Sequence, residues 1–399
     1  MIRRIEARRY RCLLDVRQEV GHFEILIGPN GSGKSAFLDV VDLIGDILRQ
    51  GVADAVRRRT PNFHDLIWKG EGESFELAVE LEIPYELKRP STQEYDRARY
   101  EIVVGLRDQE IVVHRDELWL VPARPTIVAE HASPSPSASW RSIVTREKSG
   151  KDYFTSEVGT LSVPFRFGRE RLALSNLPED EEQFPIATWV KRALGHGTQK
   201  LVLESAALRE PSPPGLGRTM APNGANLPRV IDNLCREDQR LYPHWLGHIR
   251  SVLPDMVNLH VVERPEDRYV YFVVELESGL RLPSWSLSDG ALRFMALTIL
   301  AYSERSHRLY LIEEVENGIH PREVEGVFDS LSTTYDAQIL CTTSSPSFVS
   351  LAAPKLLLCF TLDEQGAAQV VRGSEHPNLR NWRKSDDLAT LFAAGVLDG

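Results

Sequence analysis

The stretch Phe23 to Leu38, FEILIGPNGSGKSAFL, limits what this chain can fold into more than any other. An apolar run (Phe23, Ile25, Leu26, Ile27) meets Gly28-Pro29-Asn30-Gly31-Ser32-Gly33-Lys34-Ser35 and continues into Ala36-Phe37-Leu38. This is G-x-x-x-x-G-K-[ST] set between a strand and a helix, the context the motif needs. Glycines at 28, 31 and 33 let the backbone curl so that the N–H groups of Asn30 to Ser35 point inward at phosphate oxygens. A helix starting near Lys34 adds its positive dipole end at the same place. Lys34 is expected to reach the β- and γ-phosphates, and the Ser35 hydroxyl to take one Mg²⁺ position. A glycine-rich turn that binds nothing would not need every fixed position filled between these flanks. The stretch predicts a nucleoside triphosphate site.

Composition narrows the class around that site. The 399 residues leave room for more than one domain-sized unit. A net charge of −10 excludes a protein that is basic all over, so any nucleic-acid contact must come from a local patch. Cys12, Cys235, Cys341 and Cys359 lie far apart with no C-x-x-C, which indicates neither a zinc site nor a disulfide framework. No apolar run approaches a membrane span, and Met1-Ile2-Arg3-Arg4-Ile5-Glu6 lacks the core of a secretory signal. The expected compartment is the cytoplasm, with no membrane partner.

Along the chain, Ile2 to Tyr10 and Leu13 to Val20 read as an edge strand or hairpin. Arg8, Arg9 and Arg11 cluster there with Tyr10, either as a solvated basic edge or as contacts to nucleotide phosphate and base. Leu38, Val41, Ile44 and Leu48 continue the first helix to Gly51. The run Arg57-Arg58-Arg59 reads as a solvated turn ahead of a phosphate contact. Phe75 to Ile83 alternates like a half-buried strand and is closed by Pro84. Residues 1–84 are therefore read as an N-terminal lobe, and 85–226 as an insertion with mobile loops at Ser133 to Ser137 and Pro211 to Asn226. Within it Tyr100 to Leu106, Glu110 to Val113 and Glu117 to Val121 are strand-like, and Ile186 to Leu194 is helical. Residues 227–372 form the C-terminal lobe and 373–399 a helical tail whose Leu388, Leu391 and Phe392 pack on their own domain or dock a partner. No heptad array supports an extended coiled coil.

The C-terminal lobe carries the remaining chemistry. In Ser284 to Phe294, SWSLSDGALRF, Ser288 is a natural N-cap and Asp289 suits the first turn of the helix that follows. Leu309 to Ile312 is a buried-type strand that ends in Glu313-Glu314. Such a strand beside a P-loop delivers one acid to Mg²⁺ and a second to the attacking water. Val315 to Pro321, VENGIHP, follows, and the strand Gln338 to Cys341 ends in the polar turn Thr342-Thr343-Ser344-Ser345-Pro346.

Together these motifs resemble the ABC-type ATPase superfamily, in particular the SMC-like and OLD-like heads of compact prokaryotic ATPases encoded beside nucleases in anti-phage defence or repair operons. The resemblance covers residues 1 to about 50 and about 222 to 372. It implies an α/β, two-lobed ABC-type P-loop head with a mixed sheet, an inserted α+β region and no long coiled coil. By it, Gly28 to Ser35 is the Walker A loop, and Leu287-Ser288-Asp289-Gly290 is the signature that meets the γ-phosphate bound by another subunit. Leu311 to Glu314 is Walker B and Asn317 to Pro321 the D-loop. The implied roles are Glu314 as base with Lys34 as the other catalytic group, and Glu313 with Ser35 at Mg²⁺. ATP is implied to contact Arg11, Asn30, Gly31, Ser32, Gly33, Lys34, Ser35, Ser288, Asp289, Gly290 and Ser344.

The departures are Ser344 for the family's switch His, Val315 for its Pro, Glu313 for the commoner Asp, and no evident Q-loop Gln. A serine hydroxyl donates one hydrogen bond but carries no charge, so slow hydrolysis is expected. The resemblance further implies a head-to-tail homodimer around ATP and a separate effector, a nuclease or a toxin-like partner, with DNA contact left open.

Overall fold

The computed structural model describes residues 1–122, 139–146, 152–217, 219–302, 308–334, 337–379 and 388–397. The expected loop at Ser133 to Ser137 lies outside them, as does the start of the expected C-terminal helix at Ser385 to Asp387. The chain forms two compact units. The first takes residues 1–22, 28–198 and 359–371, and the second 23–27, 199–358 and 372–399.

The chain opens with β1 (Ile2–Tyr10), β2 (Leu13–Glu19) and β3 (Phe23–Ile27), then α1 (Lys34–Gln50) and α2 (Val52–Arg57). In the first unit an antiparallel sheet runs in the order β2-β1-β4-β5-β6-β7-β8-β9. Its further strands are β4 (Ser74–Glu82), β5 (Tyr95–Arg107), β6 (Glu110–Pro122), β7 (Arg141–Arg146), β8 (Asp152–Thr155) and β9 (Ser162–Phe165). Phe75, Leu77, Val79 and Leu81 of β4 are buried, as the alternation predicts. Glu80, between them on β4, meets Arg99 at 3.1 Å and Arg97 at 3.0 Å from β5, and Arg99 also reaches Glu6 of β1 at 2.8 Å and Glu101 of its own strand at 3.1 Å.

β5 pairs with β4 from Ser74↔Gly105 to Glu82↔Arg97. The sheet thus runs straight across the boundary expected at 84/85, and the compact unit continues to Thr198, short of the boundary expected at 226/227. Strand pairing between segments distant in sequence sets these limits, and composition does not record it. The unit closes with α3 (Pro185–Gly195).

The basic run at 57–59 is only in part a solvated turn. Arg57 and Arg58 are exposed, whereas the Arg59 guanidinium is buried against α1. It contacts Asp39 at 2.7 Å, Asp42 at 2.9 Å and Asp46 at 2.8 Å, acids that their spacing places on one helix face. Burial opposes the Arg59 charge, but the carboxylates outweigh it and hold the group cationic.

The second unit contains β10 (Thr198–Leu201, entering from the first unit at Thr198), α4 (Ser205–Arg209), α5 (Leu227–Glu237) and α6 (Leu241–Val252). A small antiparallel sheet of β11 (Met256–Glu263), β12 (Val270–Leu276) and β13 (Arg281–Pro283) follows. Next come α7 (Asp289–Thr298), β14 (Arg308–Ile312), α8 (Val324–Ser332), β15 (Ala337–Thr342) and α9 (Pro346–Ser350). β16 (Leu357–Leu362) and β17 (Ala368–Arg372) straddle the division between units, and α10 (Leu388–Ala393) lies against α9. The tail helix thus packs on its own unit.

The central sheet of this unit runs β10-β14-β15-β3. β14, β15 and β3 are parallel, with Ile312 opposite Cys341 and Thr342 opposite Leu26. Their near-continuous apolar runs suit strands buried on both faces. The carboxyl ends of all three fall on one edge. No helix among the described residues is long and apolar enough to cross a membrane.

Removing the Arg59 side chain leaves three acids facing one another at low exposure. Arg59→Ala is expected to destabilise the first unit by about 3 kcal/mol, the scale for breaking a buried ion pair, and urea denaturation measures it. Arg57→Ala should fall within about 0.5 kcal/mol of the parent.

Candidate functional site

The loop after β3 is shaped by glycines at two crowded positions with positive φ. Gly28 has φ 137°, and a Cβ there would stand 2.1 Å from the Phe360 carbonyl oxygen. Gly33 has φ 107°, with the Ala368 Cβ and the Cys12 Sγ each 3.0 Å from where its Cβ would be. Gly33 is also the N-cap of α1, with no side-chain cap and no acid in the first turn. The positive end of α1 is therefore not neutralised by a capping acid, which is the arrangement an anion requires. Asn30, Gly31 and Ser35 are exposed, while Ser32 is buried, its Oγ without a hydrogen-bond partner among the described residues. The Lys34 ammonium donates to the carbonyls of Gly28 at 2.6 Å and Pro29 at 2.8 Å, folded over the loop it would leave to meet a phosphate. The cradle and the buried hydroxyl fit a triphosphate.

Arg11 is neither a free basic edge nor an unengaged phosphate ligand. Its guanidinium lies 2.9 Å from Asp39, which also accepts from the Tyr10 hydroxyl at 2.5 Å. Burial, then Asp39, push the Tyr10 phenol well up, so it stays a donor. Arg11 itself adopts φ 50°.

In the second unit, the turn after β14 is fixed by the end of β15. The Glu314 N–H donates to Thr342 Oγ1 at 2.9 Å, and the Val315 N–H to the Thr342 carbonyl at 3.1 Å. Glu314 has φ 47°, a left-handed conformation that costs a residue with a side chain about 1 kcal/mol or more. The exposed Glu314 carboxylate thus projects from a strained turn, while Glu313 pairs with the Lys200 ammonium at 2.7 Å. Glu316 accepts from the Ser344 N–H at 2.8 Å and from its Oγ at 3.2 Å. The Ser344 hydroxyl is therefore engaged by an acid of the neighbouring turn.

The signature turn has the expected cap: Ser288 Oγ accepts from the Ala291 N–H at 3.2 Å. Asp289 is exposed and pairs with Arg209, whose hydrogen bond pulls its carboxyl below the usual range. Arg209 also donates to the Leu287 carbonyl at 2.7 Å. A Cβ on Gly290 would sit 3.1 Å from the Gly318 carbonyl oxygen, so the start of α7 packs closely on the turn at Asn317 to Pro321.

Within the second unit the fold thus gathers Glu313, Glu314, Thr342 and Ser344 at one strand edge. β3 ends at that edge beside Thr342 and runs directly into Gly28. Lys200 and Arg209 carry no sequence signal, since each works through a partner far along the chain.

Comparison with known proteins agrees with this geometry. A family profile described as "AAA domain, putative AbiEii toxin, Type IV TA system" matches residues 24–125 and 167–350. The chain belongs to this AAA family. Its region of match spans both units, from β3 to α9. The OLD nuclease of Thermus scotoductus (strain ATCC 700910 / SA-01) is 38% identical over 48 residues, which are 12% of this chain and 9% of that protein. The chain thus spans under a tenth of that relative's length. Among solved structures, an SMC head bound to the C-terminal winged-helix domain of ScpA aligns with TM-score 0.55 at 14% identity, over 93% of this chain and 97% of that one. That likeness establishes the SMC-head ABC-type fold for this AAA protein.

The left-handed turn gives a stability prediction. Glu314→Gly should be more stable than Glu314→Ala by about 1 kcal/mol in denaturant titration, because only glycine adopts this backbone without penalty. Equal stabilities would show that the turn relaxes when the side chain is shortened.

Proposed function

We propose that this AAA-family protein binds ATP with Mg²⁺, closes a head-to-tail homodimer around it, and hydrolyses it slowly. The observation that carries the reading is the shared strand edge. β3 leads there into a cradle shaped by Gly28 and Gly33, and β14 ends there in Glu313-Glu314. In this reading the cradle amides, with Asn30, Gly31, Ser32 and Gly33, and the Lys34 ammonium hold the phosphates. Ser35 and Glu313 hold Mg²⁺, which supplies charge neutralisation at the phosphates. Arg11 contacts the nucleotide after exchanging its Asp39 partner. Glu314 orients and deprotonates the attacking water.

Ser288, Asp289 and Gly290 complete the site of a second copy, because a signature turn serves no phosphate of its own protomer in this class. Two copies related by a twofold then enclose two ATP molecules, an isologous arrangement. The γ-phosphate favours the closed pair, and its loss reopens it. Ser344, held by Glu316 and unable to carry charge, supports slow turnover.

The output of such a clamp is a separate effector in DNA-linked defence or repair. The short stretch of identity with an OLD nuclease favours a nuclease as that effector. A second reading is an ATP-gated scaffold that holds and releases a toxin-like partner without acting on DNA. The toxin–antitoxin wording of the matched family favours it, as do the arginines of the large sheet, which are paired with acids.

Lys34→Ala should abolish ATP binding in a fluorescent-nucleotide titration. Glu314→Gln should bind ATP and accumulate as a dimer in size-exclusion chromatography with light scattering. Hydrolysis by Glu314→Gln at the parental rate would remove Glu314 from the base role. Duplex DNA should stimulate turnover several-fold in the first reading, with the effect lost steeply between low and moderate salt; no stimulation at any salt selects the scaffold.

A further inference from the structure

We infer that residues Lys200 to Arg209 act as a strut that couples the acid turn after β14 to the signature turn, and through them the two ATP sites of a dimer. The inference rests on the head-to-tail reading above. Its basis is that one short segment of the second unit touches both motifs. At one end, Lys200 on β10 reaches across to Glu313 on the neighbouring strand end at 2.7 Å. At the other, Arg209 ends α4 and forks onto the signature turn, with Nη2 donating to the Leu287 carbonyl at 2.7 Å and Nη1 to the Asp289 carboxylate.

The intervening chain is held in place. The Val202 N–H donates to the Pro222 carbonyl at 2.8 Å and the Glu204 N–H to the Asn223 carbonyl at 3.1 Å. Leu208 is fully buried and packs so closely that a Cβ on Gly224, at φ 81°, would lie 2.5 Å from its Cδ2. A displacement at Glu313 therefore has a short, packed route to Leu287 and Asp289. In a head-to-tail pair Glu313 serves the ATP of its own protomer, while the signature turn serves the ATP of the twin. The strut thus joins groups that belong to different nucleotides.

The chemistry at each end fits positioning. A guanidinium presents two parallel donors in one plane, so it fixes a carbonyl and a carboxylate together, which a lysine ammonium cannot do with the same geometry. The Lys200 ammonium is a compact point charge and holds the carboxylate of Glu313 toward β10. Arg209 touches neither the P-loop nor the acids at the end of β14, so nucleotide capture by a single protomer does not need it.

The test is ATP-dependent dimerisation of the full chain in the Glu314→Gln background, followed by sedimentation velocity with MgATP. Fluorescent-nucleotide binding at protein concentrations below dimerisation and the melting temperature are read in parallel. Adding Arg209→Ala should raise the dimer dissociation constant about tenfold or more, the equivalent of one charge-assisted contact pair. Monomer nucleotide binding and melting temperature should stay at the parental values. Arg209→Lys should not rescue. Lys200→Ala should weaken the dimer by several-fold, and the double variant should be no weaker than about twice the worse single one, because both cut the same strut. Dimers of parental strength with Arg209→Ala, or single effects that multiply in the double variant, overturn the strut while leaving the ATP clamp intact. Failure of Glu314→Gln alone to dimerise with MgATP overturns the clamp reading itself, and the strut with it.

Discussion

Parallel pairing of β14, β15 and β3 is the constraint on which the rest depends. Parallel strands point their carboxyl ends the same way, and backbone hydrogen bonding fixes their register to within a residue. Ile312 opposite Cys341 and Thr342 opposite Leu26 therefore deliver three loop starts to one edge. That is where open α/β sheets bind ligands. Thr342 then holds two consecutive amides of the acid turn, and the strain at Glu314 persists because the surrounding backbone over-determines it.

Charge in this protein is placed with the same economy of partners. Arginines in the first unit neutralise acids that would otherwise face one another: Arg59 beneath α1, and Arg97 and Arg99 across the large sheet. These arginine charges lie at low exposure within the fold of the first unit. The cations facing functional turns in the second unit, Lys200 and Arg209, are likewise engaged with an acid.

What could be read from sequence was local. The cradle was legible because only glycine tolerates φ 137° at Gly28 and φ 107° at Gly33, and the motif spaces them accordingly. The Ser288 cap was legible because its hydroxyl and the Ala291 amide lie within one helical turn. The strands of the parallel sheet were legible from near-continuous apolar runs, broken only by Glu24 in β3 and Gln338 in β15. What escaped notice was long-range. Arg59 looked like its exposed neighbours Arg57 and Arg58 because its acids come from the preceding helix face. The boundary at Pro84 looked natural, yet β5 returns after a short connection to pair along β4. Lys200 and Arg209 sit in no motif, and their roles follow only from which strand ends and turns the fold sets beside them. Ser344 was legible in sequence as part of a polar turn after a strand, but its acid partner Glu316 was not.

The central claim is that each ATP is held by the cradle of one protomer and the signature turn of another. Subunit mixing tests it most directly. A Lys34→Ala protomer supplies an intact signature, and a Ser288→Arg protomer an intact cradle, so neither homodimer has a complete site but their heterodimer has one. The account predicts no ATP turnover from either variant alone and clear turnover on mixing, rising toward about half the parental rate per dimer as heterodimers saturate. Turnover by Ser288→Arg alone, or none from the mixture although heterodimers form, would contradict it.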